Sequence, residues 1–156
     1  MRIIIDGNDG VGKTTLSTEL RNVFSIPSYI HLSYNDPTNY EFYFNMLLKD
    51  NVIFDRSFMD EKIYSKVLNR PTNLFDHEIN KLHLLLKKLN YIVIICYSDK
   101  KITKANELQQ IKQNEKNIDN YFKDLAHKHN YIYFNRFKDD LKALIEQIEE
   151  LNEKLY

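Results

Sequence analysis

Gly7-Asn8-Asp9-Gly10-Val11-Gly12-Lys13-Thr14 places glycine, lysine and a hydroxyl at the spacing G-x-x-x-x-G-K-[ST], the pattern of a main-chain loop that cradles phosphates. The chain of 156 residues has three glycines, and all three lie in this run. Glycine reaches positive φ without a Cβ clash, so successive N–H groups can point into one concavity. A helix beginning near Lys13 adds unpaired N–H groups and about half a unit of positive charge at its N-terminus. Lys13 would then reach the β- and γ-phosphates of ATP, and the Thr14 hydroxyl would help hold Mg²⁺. Gly7 to Thr14, with Thr15 behind them, form the expected phosphate-binding set.

Two further groups of residues carry chemistry. Asp6 stands immediately before the loop, where a carboxylate can accept a proton from a hydroxyl or hold a metal-bound water. The structural alternative is an aspartate that caps local N–H groups. Asp55-Arg56-Ser57 follows the apolar run Val52-Ile53-Phe54 and supplies a carboxylate and a guanidinium together. Beside a triphosphate such a pair neutralises and positions charge, which is most of what phosphoryl transfer requires. Here the alternative is a local ion pair that starts a helix.

These groups need elements to position them. Ile3-Ile4-Ile5 is a buried-strand run, and Leu16, Leu20, Val23 and Phe24 make one face of the helix after the loop. Tyr29 to Ser33, Asn51 to Asp55, Tyr91 to Tyr97 and Tyr131 to Phe134 read as four more strands. Helices are expected from a Thr38 cap to about Lys49, after Ser57, from Phe75 to Leu89, through a polar stretch ending near Lys128, and from about Asp139 to Lys154. That polar helix has the thinnest stripe, Leu108, Ile111, Ile118, Phe122 and Leu125. Alternating strands and helices predict one α/β domain over residues 1–156, a three-layer αβα P-loop NTPase fold with a five-stranded parallel sheet. Ligands of such sheets bind beyond the carboxyl ends of the strands, where Asp6, Ser33-Tyr34, Asp55, Tyr97-Ser98 and Asn135-Arg136 fall.

Asp6 to Thr14 together with Phe54-Asp55-Arg56-Ser57 resembles the thymidylate kinase and deoxynucleoside kinase branch of the P-loop kinases. The stretch from Asp55 through Glu61 and Tyr64 to Arg70 resembles the small phage-type, thymidylate-kinase-like members. The likeness lies in motifs over residues 1 to about 70 and in strand–helix order beyond. It implies that Asp6 acts as base toward an acceptor hydroxyl, that Arg56 contacts the acceptor or transferring phosphate, and that Asp55 serves the metal through water. It implies ATP- and Mg²⁺-dependent transfer to a deoxynucleoside monophosphate. The alternatives are a deoxynucleoside kinase acting on the 5′-hydroxyl and a non-catalytic nucleotide-binding protein. Dimers are common in that family, so a homodimer is one open assembly.

The chain departs from the family in two ways. No arginine lies between Arg70 and Arg136, so the presumed lid around residues 99–107 offers only Lys100, Lys101 and Lys104, as point charges or as a solvated basic loop. The chain is also shorter than typical thymidylate kinases. Tyr40, Phe42, Tyr43 and Phe44 could give a stacking face for a base, although aromatic residues chiefly fill small cores. Tyr34, Phe42 and Arg70 are acceptor-side candidates, and Arg136 is the candidate for the adenine side of ATP.

Composition removes other classes. Twenty-two basic residues balance 22 acidic ones, which argues against a polynucleotide acceptor. No stretch approaches a membrane span, no signal peptide is evident, and the single Cys96 reads as a buried thiol, so a cytoplasmic place is expected. The five histidines (His31, His77, His83, His127 and His129) show no ligand spacing and read as structural or exposed. A GTPase switch needs a later D-x-x-G, and no glycine follows Gly12; Thr103 to Asn106 is only a partial guanine-reading motif.

Overall fold

The computed structural model describes residues 1–33, 35–100 and 109–154. Strand β1 (Arg2–Gly7) runs into the glycine loop and α1 (Lys13–Val23). There follow β2 (Ser28–His31), α2 (Tyr40–Leu47), β3 (Val52–Asp55), α3 (Met59–Val67), α4 (Asp76–Lys88) and β4 (Ile92–Tyr97). The chain continues through α5 (Gln109–Gln113), α6 (Glu115–His129), β5 (Ile132–Asn135) and α7 (Leu141–Glu153). The five strands form one sheet in the order β2-β3-β1-β4-β5, every pair parallel. Continuous apolar strands demand cover on both faces. They have it: Ile3, Ile5, Ile94 and Cys96 pack with α1 and α7, while Ile4, Phe54, Val93 and Ile95 pack with α2, α3, α4 and α6.

This arrangement fixes the crevice. β1 and β3 are neighbours, yet α1 leaves β1 on one face and α3 follows β3 on the other. Loops that part above adjacent strands open a cleft at their carboxyl ends.

Several local expectations are corrected. Asn39, not Thr38, caps α2, its Oδ1 accepting the Phe42 N–H at 2.9 Å. The polar helix is two helices that meet at Asn114, whose side chain donates to the Gln110 carbonyl at 2.9 Å alongside its own main-chain N–H. Leu108, from the expected stripe, lies outside the described residues. Val23 and Leu151 stand on apolar stripes but are 50% and 37% exposed, in the last turns of α1 and α7. Cys96 is buried, and burial pushes its thiol up to about 12.

Candidate active site

The loop is built by its glycines and by what they lie against. Gly7 has φ +134°, and a Cβ there would come 2.2 Å from the Cys96 carbonyl oxygen on β4, so the main chain passes where no side chain fits. Gly12 has φ +89°, and its Cβ would meet the Arg136 side chain at 2.9 Å. Lys13 is folded under the loop, its ammonium donating to the carbonyls of Gly7, at 2.9 Å, and Asn8. Burial, then the nearby Arg56 charge, lower its pKa. Asn8 pins the loop from the side. Its Oδ1 accepts from Tyr64 of α3 at 3.0 Å, and its Nδ2 donates to Asp119 of α6 at 2.8 Å. Val11 is fully buried, whereas Thr14 and Thr15 are exposed on the first turn of α1.

Parallel register brings the carboxylates to the loop. Asp55 ends β3 opposite Ile5, and the Arg56 N–H extends the ladder to the Ile5 carbonyl at 2.9 Å. Asp55 Oδ2 accepts three donors: Thr14 Oγ1 at 2.7 Å, Tyr29 Oη at 2.8 Å and His31 Nδ1 at 3.0 Å. Burial pushes this carboxyl upward, but the three hydrogen bonds and the His31 charge outweigh it and hold the pKa below the usual value. Its other oxygen, Oδ1, is buried without a donor. A hydroxyl beside an ionised carboxylate with one oxygen uncommitted is an all-oxygen donor set that suits magnesium, directly or through water. Thr14 and Asp55 are therefore the residues that would hold the ion. Among the described residues no group of three or more His, Cys, Asp or Glu forms a metal cluster.

Asp6 is fully buried, with Oδ1 accepting the Gly7 N–H at 2.9 Å and Oδ2 accepting Ser57 Oγ at 2.6 Å. Burial and the adjacent Asp60 raise its pKa well above the usual value, more than Ser57 and Lys13 lower it. Arg56 lies between Asp9 of the loop, which it meets through Nη2, and Asp60 of α3, 3.2 Å from Nη1. Burial would lower its pKa, but these two carboxylates reverse the direction. The ion pair expected within Asp55-Arg56 is not the one formed: Asp55 turns to Thr14, Tyr29 and His31, while Arg56 pairs with Asp60 on α3 and with Asp9 of the glycine loop.

The remaining candidates are more scattered. Arg70 pairs with the buried Glu61 at 3.3 Å, and its Nε is buried without an acceptor. Phe42 is half-buried on α2, edge-on to Tyr43 at 5.4 Å, and packs on the core, as do Tyr40 and Phe44. Arg136 closes over Gly12 and pairs with Glu19 of α1 at 2.7 Å, so it borders the loop on the side facing β5. Tyr34, Lys101 and Lys104 lie outside the described residues. Sequence reasoning missed the partners. His31, read as structural or exposed, is a hydrogen-bond partner of Asp55, and Tyr29 and Asp60 had no role. The signal for His31 was positional, since it ends the strand next to β3, in register with Asp55.

Comparison with protein-family models and with curated proteins finds no match. Solved structures do match. One is the YorR protein from Bacillus subtilis in complex with phosphorylated GDP, with a TM-score of 0.78 at 16% identity over 98% of this chain and 96% of that one. Another is deoxyadenosine kinase from M. mycoides with the products dCMP and a flexible dCDP bound, with a TM-score of 0.51 at 18% identity over 100% of both chains. At such identities the likeness is one of fold: a three-layer αβα P-loop fold around a five-stranded parallel sheet.

Proposed function

We propose that the chain is an ATP- and Mg²⁺-dependent nucleoside or nucleotide kinase, with a deoxynucleoside monophosphate as acceptor in the leading reading. The observation that carries it is the bond between Thr14 and Asp55 beside the glycine loop, in the same cleft as Asp6 and Arg56. Phosphorylated GDP in the YorR structure, and dCMP with dCDP in the deoxyadenosine kinase structure, support a nucleotide ligand on this fold. The loop amides and Lys13 bind the triphosphate tail, and Arg136, which lies over Gly12, is the candidate for the adenine side. Thr14 and Asp55 would hold magnesium, directly or through water, and the ion would supply charge neutralisation there. Arg56 exchanges Asp9 and Asp60 for the transferring phosphate, and Arg70 and Phe42 are the candidates for contacting the acceptor once Arg70 leaves Glu61.

One observation favours a second acceptor, the 5′-hydroxyl of a deoxynucleoside. A phosphate oxygen needs no base at neutral pH, whereas a hydroxyl does, and Asp6 is a buried carboxyl of raised pKa at the edge of the loop. The test is a coupled ADP-release assay with ATP and Mg²⁺ against a panel of nucleosides and monophosphates. Turnover with one acceptor class names the reaction. ATP binding with no turnover across the panel would leave the non-catalytic alternative standing.

A further inference from the structure

Asn8 is 3% exposed, and both ends of its side-chain amide are engaged. Oδ1 accepts the Tyr64 hydroxyl of α3 at 3.0 Å and the Asp9 N–H at 2.7 Å. Nδ2 donates to Oδ1 of Asp119 on α6 at 2.8 Å. The pattern G-x-x-x-x-G-K-[ST] leaves this position free, so cradling phosphate does not by itself call for asparagine. The Asp9 N–H and the Asn8 carbonyl are the two ends of one planar peptide group, and that carbonyl accepts the Lys13 ammonium. Fixing one end therefore aims the other. An ammonium has three donors. Two of them go to the carbonyls of Gly7 and Asn8, and together these set the direction of the third.

We propose that Asn8 and Asp119 are positioning residues for Lys13: the hydrogen bond to α6 holds the Asn8–Asp9 peptide, whose carbonyl keeps the third ammonium donor turned to the phosphate tail. The catalytic consequence rests on the function proposed above. An amide can rotate to exchange its oxygen and nitrogen, but a carboxylate only accepts. Asp119 thus selects the orientation in which Nδ2 faces α6 and Oδ1 faces the loop. In the reverse orientation Nδ2 would oppose the Asp9 N–H, donor against donor, and the peptide would turn. Two helices share the support. Tyr64 of α3 holds the oxygen end and Asp119 of α6 the nitrogen end, while Tyr121 of α6 donates to the Met59 carbonyl of α3 at 3.1 Å. The same peptide carries Asp9, whose carboxylate meets Arg56, so both cations proposed to meet phosphate lean on it.

The experiment is ¹⁵N NMR of lysine-labelled protein, following the Lys13 ammonium, beside kcat and the KM for ATP with the best acceptor. Lys13→Arg assigns the signal. In the wild type this ammonium should exchange with water more slowly than those of exposed lysines. Asn8→Asp keeps an acceptor for Tyr64 and the Asp9 N–H but sets a second acceptor against Asp119. Asp119→Ala removes the acceptor. Each should speed the exchange about tenfold, the scale of one buried hydrogen bond. Each should also lower kcat more than it raises KM, because the loop N–H groups still bind the tail. Asn8→Asp with Asp119→Asn reverses donor and acceptor at unchanged net charge, and should restore both readings. The positioning role is overturned by a wild-type ammonium that exchanges like the exposed ones, or by single variants that leave it unchanged. A folded double variant that fails to restore it does the same; urea melts report folding. Where a charged variant fails to fold, Tyr64→Phe, which deletes one hydroxyl from the amide, should move the signal the same way, and an unmoved signal overturns the role. The two proposals fail separately. The expected Lys13 response without turnover removes the kinase reading alone, and turnover with an indifferent Lys13 removes the positioning alone.

Discussion

The Thr14 hydroxyl donates to Oδ2 of Asp55 at 2.7 Å, tying the first turn of α1 to the last residue of β3. Asp55 is fully buried and keeps Oδ1 uncommitted. Asp55→Asn removes the charge while preserving the shape. We expect magnesium-dependent ATP affinity to fall about 10- to 100-fold, the range for losing a group that supports a metal site. Calorimetry with and without Mg²⁺ separates the roles: an equal loss in both would make Asp55 a loop support rather than a metal residue.

Lys13 is nearly buried, and its ammonium serves only main-chain carbonyls among its described hydrogen bonds. Lys13→Ala should reduce turnover by about 10²–10³-fold or more, the scale of removing a preorganised charge donor from a transition state. Circular dichroism should remain that of the wild type, because neither hydrophobic cluster includes this side chain. Undiminished turnover would remove the loop from the mechanism.

Gly7 is where loop and sheet compete for the same space. Its strand partner is Cys96, whose carbonyl oxygen would stand 2.2 Å from an added Cβ. The obstacle is main chain and cannot rotate away. Gly7→Ala should therefore cost about 3 kcal/mol or more in urea unfolding, beyond ordinary overpacking. A loss below about 1 kcal/mol would mean that β1 and β4 can separate locally.

The loop, the five strands and the placing of Asp6 and Asp55 at strand ends were legible because each is a local signal. Glycine confined to one run, apolar runs of strand length and a change of period need no knowledge of neighbours. The partners were not legible. His31 meets Asp55 only because β2 lies beside β3 in one register, and Arg56 meets Asp9 only because β3 lies beside β1. The division of the polar helix at Asn114 is a local choice that composition leaves open. Arg56 was read for its charge, but its main chain is equally unusual, with φ +79°.

That backbone separates two roles of Arg56. A non-glycine residue in the left-handed region is strained by about 1 kcal/mol, and glycine is not. Arg56→Ala and Arg56→Gly both delete the guanidinium that joins Asp9 to Asp60, so both should lose several orders of magnitude in turnover, on the scale of a transition-state arginine. Arg56→Gly should nevertheless be the more stable by about 1 kcal/mol in denaturant melts. A loss of tenfold or less in either variant would reduce Arg56 to a structural residue.

Stability at acid pH should depend on His83. Its ring is buried, accepts or donates at Nδ1 with Tyr131 Oη at 2.6 Å, and stacks on His129 at 3.9 Å. Burial, with the neighbouring His129 and Lys128 charges, lowers its pKa to about 3. With His83 neutral, the tyrosine hydroxyl donates to Nδ1. The unfolded chain takes up the proton near pH 6.5 and the folded one only near 3, so between these values the unfolded state binds more protons. The contribution of His83 is therefore whole above about pH 6.5 and is lost as pH falls, by up to about 1.4 kcal/mol per unit. His83→Gln cannot titrate and can still accept from Tyr131. Urea melts near pH 4.5 and 7.5 should show the wild type losing at least about 1 kcal/mol more than the variant across that interval. Equal losses in the two proteins would mean that the ring is already protonated in the fold, or that the His83–His129 stack opens to water before the domain unfolds.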